Sequence, residues 1–312
     1  MKVYITGARG MVGANLNEQL NLLEDYQVLS PGRDEVDLLD LLSISHYLTK
    51  HQPDFIVHSA GLVGGIQANM ANLYGYLIDN TMMGLNLIKA AKEAGVKNLI
   101  NLSSSCVYPK DAPNPLKEEM FLTGALEPTN EGYALAKNTV MRACEYLSKQ
   151  EPEYNYKTIV PVNLYGKHDK YGEHNSHMIP AVIKKIDQAI DNNNQTVEIW
   201  GTGKVRREFL YAGDLADFII YSMKYFDDMP EVVNCSHGVD YTINEFYEMI
   251  AEVLGYQGGF EHNDSYPDGI DKKLTDISKM RAFGWIPPTE FKQGVELAYQ
   301  DYIGRVKNNY IL

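Results

Sequence analysis

Across the first 165 residues, short β-branched runs alternate with longer stretches whose apolar residues recur at helical spacing. Residues 3–6, 27–30, 55–59, 99–103 and 158–162 predict strands, and 11–23, 44–51, 73–94 and 133–149 predict helices. Such alternation implies a parallel sheet covered by helices on both faces. After residue 165 the rhythm changes to longer polar loops, with clusters at 168–177, 192–196 and 262–273. Residues 209–225 read as a helix and 232–236 as a strand, both returning to the first sheet. The expected division is therefore 1–165 plus about 209–238 for the sheet domain. A smaller α+β lobe, about 166–208 plus 239–312, would sit over the strand ends.

The composition is that of an ordinary globular chain, 45% hydrophobic and 22% charged. No window approaches the roughly 18 apolar residues of a membrane span, and the chain enters its first strand without an apolar leader. Cys106, Cys144 and Cys235 are too few and too scattered for a disulfide framework, so a reducing cytoplasm is expected. A net charge of −13 argues against a nucleic-acid partner. If the ligand is an anionic nucleotide, its attraction must come from clustered cations.

Gly7-Ala8-Arg9-Gly10-Met11-Val12-Gly13 follows the first strand and opens the first helix. Glycines there allow a tight turn, close approach of backbone to a pyrophosphate and close helix–strand packing, while the helix N-terminus offers free N–H groups. The whole is a Rossmann-type doubly wound α/β arrangement. Where an NAD site wants a carboxylate at the end of the second strand, this chain has Leu29-Ser30-Pro31-Gly32-Arg33, with Arg9 in the glycine loop. Two arginines favour NADP(H), although Asp34 and Glu35 follow closely.

Ser103-Ser104-Ser105-Cys106 ends the fourth strand, and Tyr133-Ala134-Leu135-Ala136-Lys137 follows on a helix. A spacing of four places phenol and ammonium on one helix face. The lysine cation is expected to lower the phenol's pKa so that Tyr133 can shuttle a proton, and a serine hydroxyl adds a second donor on the substrate oxygen.

With these features the chain resembles the extended short-chain dehydrogenase/reductase superfamily. Longer motifs narrow the resemblance to the GDP-L-fucose synthase family. They include Gly61-Leu62-Val63-Gly64-Gly65, Ser104-Ser105-Cys106-Val107-Tyr108-Pro109 and Leu126-Glu127-Pro128-Thr129-Asn130-Glu131. Asn163-Leu164-Tyr165-Gly166 with His168-Asp169, and Asn175-Ser176-His177-Met178-Ile179-Pro180-Ala181, continue the match. Trp200-Gly201-Thr202-Gly203, Arg207-Glu208-Phe209-Leu210 and Pro267-Asp268-Gly269 carry it to about residue 290.

The resemblance implies epimerisation at C3 and C5 of a GDP-4-keto-6-deoxy sugar, then NADPH reduction of the C4 ketone. It implies Ser104, Tyr133 and Lys137 as the reduction set, Cys106 as base and His177 as acid. It assigns Asp37 and Leu38 to the adenine. It also puts Ala60, Leu102, Pro161, Asn163, Leu164, Lys137 and His177 on the cofactor, with Ser105, Asn163, Lys185, Trp200, Arg207 and Asp268 on the substrate. A homodimer through the helices at about 73–94 and 133–149 is a further implication.

The expected cations appear as pairs: Lys184-Lys185, Arg206-Arg207 near Trp200, and Lys272-Lys273 after Asp268. We read them as a diphosphate and nucleobase clamp, with Trp200 covering the base. Lys185 stands where the family carries arginine, giving a point charge instead of a bidentate fork. His168, His174 and His177 are irregularly spaced with no matching Cys or carboxylate set, so no metal is expected. Gly172-Glu173 and Lys204-Val205-Arg206 depart from the family pattern. That keeps open a GDP-4-keto-heptose C4 reductase without epimerase activity. Another epimerase or dehydratase of the superfamily, or a non-catalytic NADP-binding regulator, also fits the fold. A dehydratase wants an acidic residue beside the serine, and a regulator often lacks the tyrosine or lysine retained here.

Overall fold

The computed structural model describes residues 1–172, 176–266 and 268–307. The first half runs β1 (Lys2–Thr6), α1 (Met11–Asn21), β2 (Gln27–Leu29), α2 (Leu41–His51), β3 (Phe55–His58), α3 (Ile66–Ala71), α4 (Leu73–Glu93), β4 (Asn98–Leu102), α5 (Glu131–Gln150) and β5 (Asn155–Pro161). Then follow β6 (Asn163–Tyr165), α6 (Met178–Asp191), β7 (Thr196–Trp200), β8 (Arg206–Arg207), β9 (Phe209–Tyr211), α7 (Ala212–Lys224) and β10 (Val232–Cys235). The remainder comprises β11 (Tyr241–Thr242), α8 (Ile243–Leu254), β12 (Gly259–Asn263), α9 (Ser278–Ala282) and α10 (Phe291–Tyr302).

Six strands form a wholly parallel sheet in the order β10-β5-β4-β3-β1-β2. Successive side chains enter opposite cores. Val3, Ile5, Val57 and Ile100 pack with Leu16 of α1 and Phe218 of α7. Tyr4, Ile56 and Leu99 pack with Leu48 of α2, Leu87 of α4 and Val140 of α5. Burial on both faces explains why these strands read as unbroken apolar runs. The chain leaves β1 for β2 on one side and later returns to β3 on the other, which opens a crevice outside their carboxyl ends.

A separate core gathers Ile179, Ile183 and Ile186 of α6, Val197 and Ile199 of β7, and Phe246 of α8. Strand β9 joins the two: Leu210 enters the first core, while Phe209 and Tyr211 enter the second. This corrects the helix expected over 209–225. Its first three residues form a strand parallel to β6, and only Ala212–Lys224 is helical. Three consecutive large side chains buried on opposite sides suit the two-residue period of a strand, not the 3.6-residue period of a helix. Strand β10 closes the sheet against β5, as its pattern predicted. No described helix is long and apolar enough to cross a membrane. Glu173, His174, Asn175 and Pro267, named in the motifs above, lie outside the described residues.

Candidate active site

Most segments expected to hold a dinucleotide lie at or just beyond the end of a parallel strand, Lys137 on α5 and His177 before α6 excepted. Gly7 follows β1 with φ +69°, and a Cβ there would lie 2.7 Å from Ala60 Cα after β3. A Cβ on Gly13 would lie 2.3 Å from the Gly7 carbonyl oxygen. Only glycine fits both places. Ser59 Oγ donates to the Thr6 carbonyl, and the Ala60 N–H donates to Thr6 Oγ1, so the two loops are stitched together. Helix α1 starts at Gly10 with no side-chain cap, which leaves the first turn, Met11 to Gly13, to an anion. Arg9 and Arg33 are both exposed beside the end of β2, with Asp34 3.7 Å from Arg9 and Asp37 4.0 Å from Arg33. Asp37 accepts from the Leu39 N–H, and Leu38 packs against the sheet. A glycine cradle, an uncapped helix end and two outward guanidiniums fit a phosphorylated dinucleotide.

The reaction centre gathers at the end of β4. Ser103 and Ser105 are buried, while Ser104 and Cys106 are partly open. Ser104 Oγ accepts weakly from the Cys106 N–H at 3.4 Å. Ser105, expected on the substrate, is 2% exposed. Lys137 Nζ donates to the Leu102 carbonyl at 2.8 Å and lies 5.7 Å from the Tyr133 ring centroid. Tyr76 meets Tyr133 edge-on at 6.5 Å.

Burial lowers the Lys137 ammonium to about 8. Burial, with Cys106 and Tyr76 nearby, pushes the Tyr133 phenol above its ordinary value. This reverses the expectation that Lys137 would lower the phenol, because desolvation of phenolate outweighs the attraction of one ammonium. A phenol that keeps its proton is suited to giving one to a substrate oxygen.

Asn163 follows β5 through Pro161 and Val162, and its Nδ2 donates to the Glu208 carbonyl; Leu164 packs on the sheet core. His177 takes the N-cap position of α6, where burial and then the charge of Lys170 depress the imidazole. Among the described residues no hydrogen bond joins His177 to Ser104, Cys106 or Tyr133.

The expected cationic clamp is only partly available. Arg206 and Lys272 both pair with Asp240, and Lys184 donates to the Tyr171 carbonyl. Lys185 lies 4.7 Å from the Trp200 ring centroid. Arg207 donates to the Ile270 carbonyl, and Asp268 accepts from the Thr202 N–H and hydroxyl. Trp200 does not present a bare face. Tyr266 stacks on it at 4.2 Å and 10°. A cavity beside Cys106 is walled by Lys110, Glu127, Ile270, Lys272 and Lys273, which brings part of the segment after Asp268 near the cysteine.

The buried Asn80 and His58 and the half-buried Asn130 were given no role of their own in the sequence reading. Asn80 Oδ1 accepts from the Leu62 N–H and its Nδ2 donates to the Leu62 carbonyl, holding the Gly61–Gly65 loop over Lys137. His58 Nδ1 meets Thr6 Oγ1 at 2.8 Å, and burial, then Lys137, pushes this imidazole down to about 3. Asn130 Nδ2 donates to Cys106 Sγ at 3.3 Å. A polar residue isolated among apolar helix positions was the available signal for Asn80. Among the described residues no group of three or more His, Cys, Asp or Glu assembles as a metal site.

The chain matches the NAD dependent epimerase/dehydratase family over residues 3–236. It is 49% identical to the GDP-L-colitose synthase of Yersinia pseudotuberculosis over 309 residues, covering 99% of this chain and 100% of that one. It is 41% identical to the GDP-L-fucose synthase of Azorhizobium caulinodans, covering 97% and 96% of the two chains. Its structure superposes on an NADP-bound GDP-mannoheptose C4 reductase from Campylobacter jejuni with a TM-score of 0.88. Identity there is 32%, with 97% and 98% of the chains covered.

Proposed function

The chain belongs to the NAD dependent epimerase/dehydratase family and, within it, to the GDP-L-fucose synthases; from that membership we propose that it is an NADPH-dependent 4-reductase of a GDP-4-keto-6-deoxy sugar that also epimerises the carbons beside the ketone. The observation that carries this reading is the Tyr133–Lys137 pair, anchored on the Leu102 carbonyl beside the partly open Ser104 and Cys106.

NADPH, when bound, supplies the hydride. Gly7 to Gly13 with Ala60 hold its diphosphate, Arg9 and Arg33 the 2′-phosphate, and Asp37 with Leu38 the adenine. Lys137, with Leu102, Pro161, Asn163, Leu164 and His177, completes that site. Tyr133 and Ser104 donate to the C4 oxygen, which makes the neighbouring C–H groups acidic by stabilising the enolate. Cys106 removes a proton on one face, and His177, weakly basic in its buried position, returns one on the other. Tyr133 then gives its proton to the C4 oxygen, and Lys137 balances the phenolate left behind. Lys185, Trp200, Arg207 and Asp268 bind the nucleoside diphosphate, with Tyr266 sharing the Trp200 stack.

A C4 reductase of a GDP-heptose is favoured by one observation, the close superposition on the mannoheptose reductase. The identity to a GDP-L-colitose synthase adds a third candidate sugar. Three free cysteines suit a reducing cytoplasm. Tyr74, Ile78 and Met82 on α4, with Leu135 and Tyr146 on α5, are exposed apolar residues on the two helices of the expected interface, and they support the reading of a homodimer.

Deuterium uptake from heavy water separates these readings. Label at C3 and C5 is expected with the hexose substrate, and Cys106→Ser should abolish it. Reduction without label in either the hexose or the heptose substrate would eliminate the epimerase step and leave a reductase.

A further inference from the structure

Asn130 occupies the N-cap position of α5 but makes no side-chain cap. An asparagine there normally accepts from the N–H of the second or third helical residue. This one turns away: Nδ2 donates to Cys106 Sγ at 3.3 Å, and Oδ1 is buried without a partner among the described residues. Among the described residues the sulfur is therefore the one partner of the side-chain amide. The turn that delivers it is itself braced, since Glu127 accepts from the Thr129 N–H and hydroxyl. Forgoing the cap costs helix stability, and what it supplies instead is a donor aimed at sulfur.

We propose that Asn130 is the positioning residue of Cys106: its amide N–H stabilises negative charge on the sulfur and keeps the cysteine competent as the epimerisation base. The inference rests on the epimerase reading above. In that step a C–H bond beside the ketone breaks, sulfur takes the proton and becomes a neutral thiol, and the electron pair passes to the ketone oxygen as an enolate. An N–H donor favours the charged sulfur before transfer. The positive end of α5 and Lys110, Lys272 and Lys273 in the cavity beside the sulfur act in the same direction, against Glu127 in that cavity, Glu131 in the first turn of α5 and the neighbouring Tyr133.

The test uses the intact enzyme and the pH–rate profile of Cys106 alkylation by iodoacetamide, read by peptide mass spectrometry. Cys144 and Cys235, 1% and 0% exposed, are shielded from the reagent. Two variants are compared with wild type. Asn130→Ala removes the donor, while Asn130→Asp keeps the shape and a good N-cap group but puts a carboxylate beside the sulfur. The midpoint should rise by about one pH unit in Asn130→Ala and further in Asn130→Asp, with thermal midpoints nearly unmoved. Deuterium uptake by the substrate should fall about tenfold in both. Alkylation profiles that coincide with wild type overturn the proposal, even if exchange falls. Absence of exchange in the wild-type enzyme overturns only the epimerase reading, because the alkylation profile needs no substrate.

Discussion

Lys137 carries the prediction that most directly tests the chemistry of the cleft. Burial lowers its ammonium from 10.5 to about 8, a bias of about 3 kcal/mol against the charged form. The same ammonium must balance the phenolate that Tyr133 becomes once it has given up its proton. The enzyme should therefore lose activity as pH rises through about 8, where Lys137 becomes neutral. For one group the arithmetic is simple: kcat/KM should be about half-maximal near pH 8 and about a tenth of maximal near pH 9. The parameter to follow is kcat/KM for NADPH, because it reports titrations of the free enzyme. Of the groups packed around Lys137, neither His58, held at about 3, nor the Tyr133 phenol, pushed upward, supplies that limb. Lys137→Arg gives the control. Its guanidinium stays charged throughout this range, so the limb should vanish while the absolute rate drops, a planar fork being a poor replacement for a compact ammonium. A flat wild-type profile between pH 7 and 9, or a limb that survives in Lys137→Arg, would refute the assignment.

Arg33→Ala should raise KM for NADPH by about tenfold and leave KM for NADH nearly unchanged, because the lost cation meets only the 2′-phosphate. Steady-state titration with both cofactors checks it, and Arg9→Ala should act in the same direction. Asp169, 5% exposed, is pushed by burial up to about 7, against its N–H bond from Lys170 and the charge of Arg305. A carboxyl whose folded pKa is raised stabilises the fold below its ordinary value near 4 and loses that contribution as pH climbs through about 7. Asp169→Asn should thus match wild type near pH 4 and exceed it at pH 8, by up to about 4 kcal/mol. Urea unfolding at both pH values measures the difference, and a pH-independent gap would contradict the burial argument.

The glycine loop and the Tyr133–Lys137 pair were legible because their information is local. A turn needs its own glycines, and a helix places residues four apart on one face whatever surrounds it. The parallel sheet was legible for a related reason, since two-sided burial writes itself into each strand separately. What could not be read depends on partners distant in sequence. Arg206 and Lys272 looked like free cations until Asp240 was seen to take both. Asn80 and Asn130 had no role assigned from the sequence, yet one holds Leu62, 18 residues earlier, and the other reaches Cys106, 24 residues earlier. The direction of the Tyr133 shift failed on the same ground: a one-turn spacing reports the cation but not how dry the pair is.

The charge problem posed by the acidic chain resolves along these lines. With a net charge of −13, the field at long range repels a nucleotide sugar, so attraction must be local. The ion pairs decide where it is local. At the cofactor end, Arg9 and Arg33 keep only loose, exposed carboxylate neighbours, and exchanging those for a phosphate costs little. At the substrate end Arg206 is committed to the buried Asp240, whereas Lys185 touches a carbonyl and an aromatic face that compete weakly with a diphosphate. Arg207 lies between these cases, held by two carbonyls, with Asp271 and Asp268 near enough to act on its charge. Under the proposed function, Lys185 and Arg207 are therefore better placed than Arg206 and Lys272 to meet a sugar nucleotide.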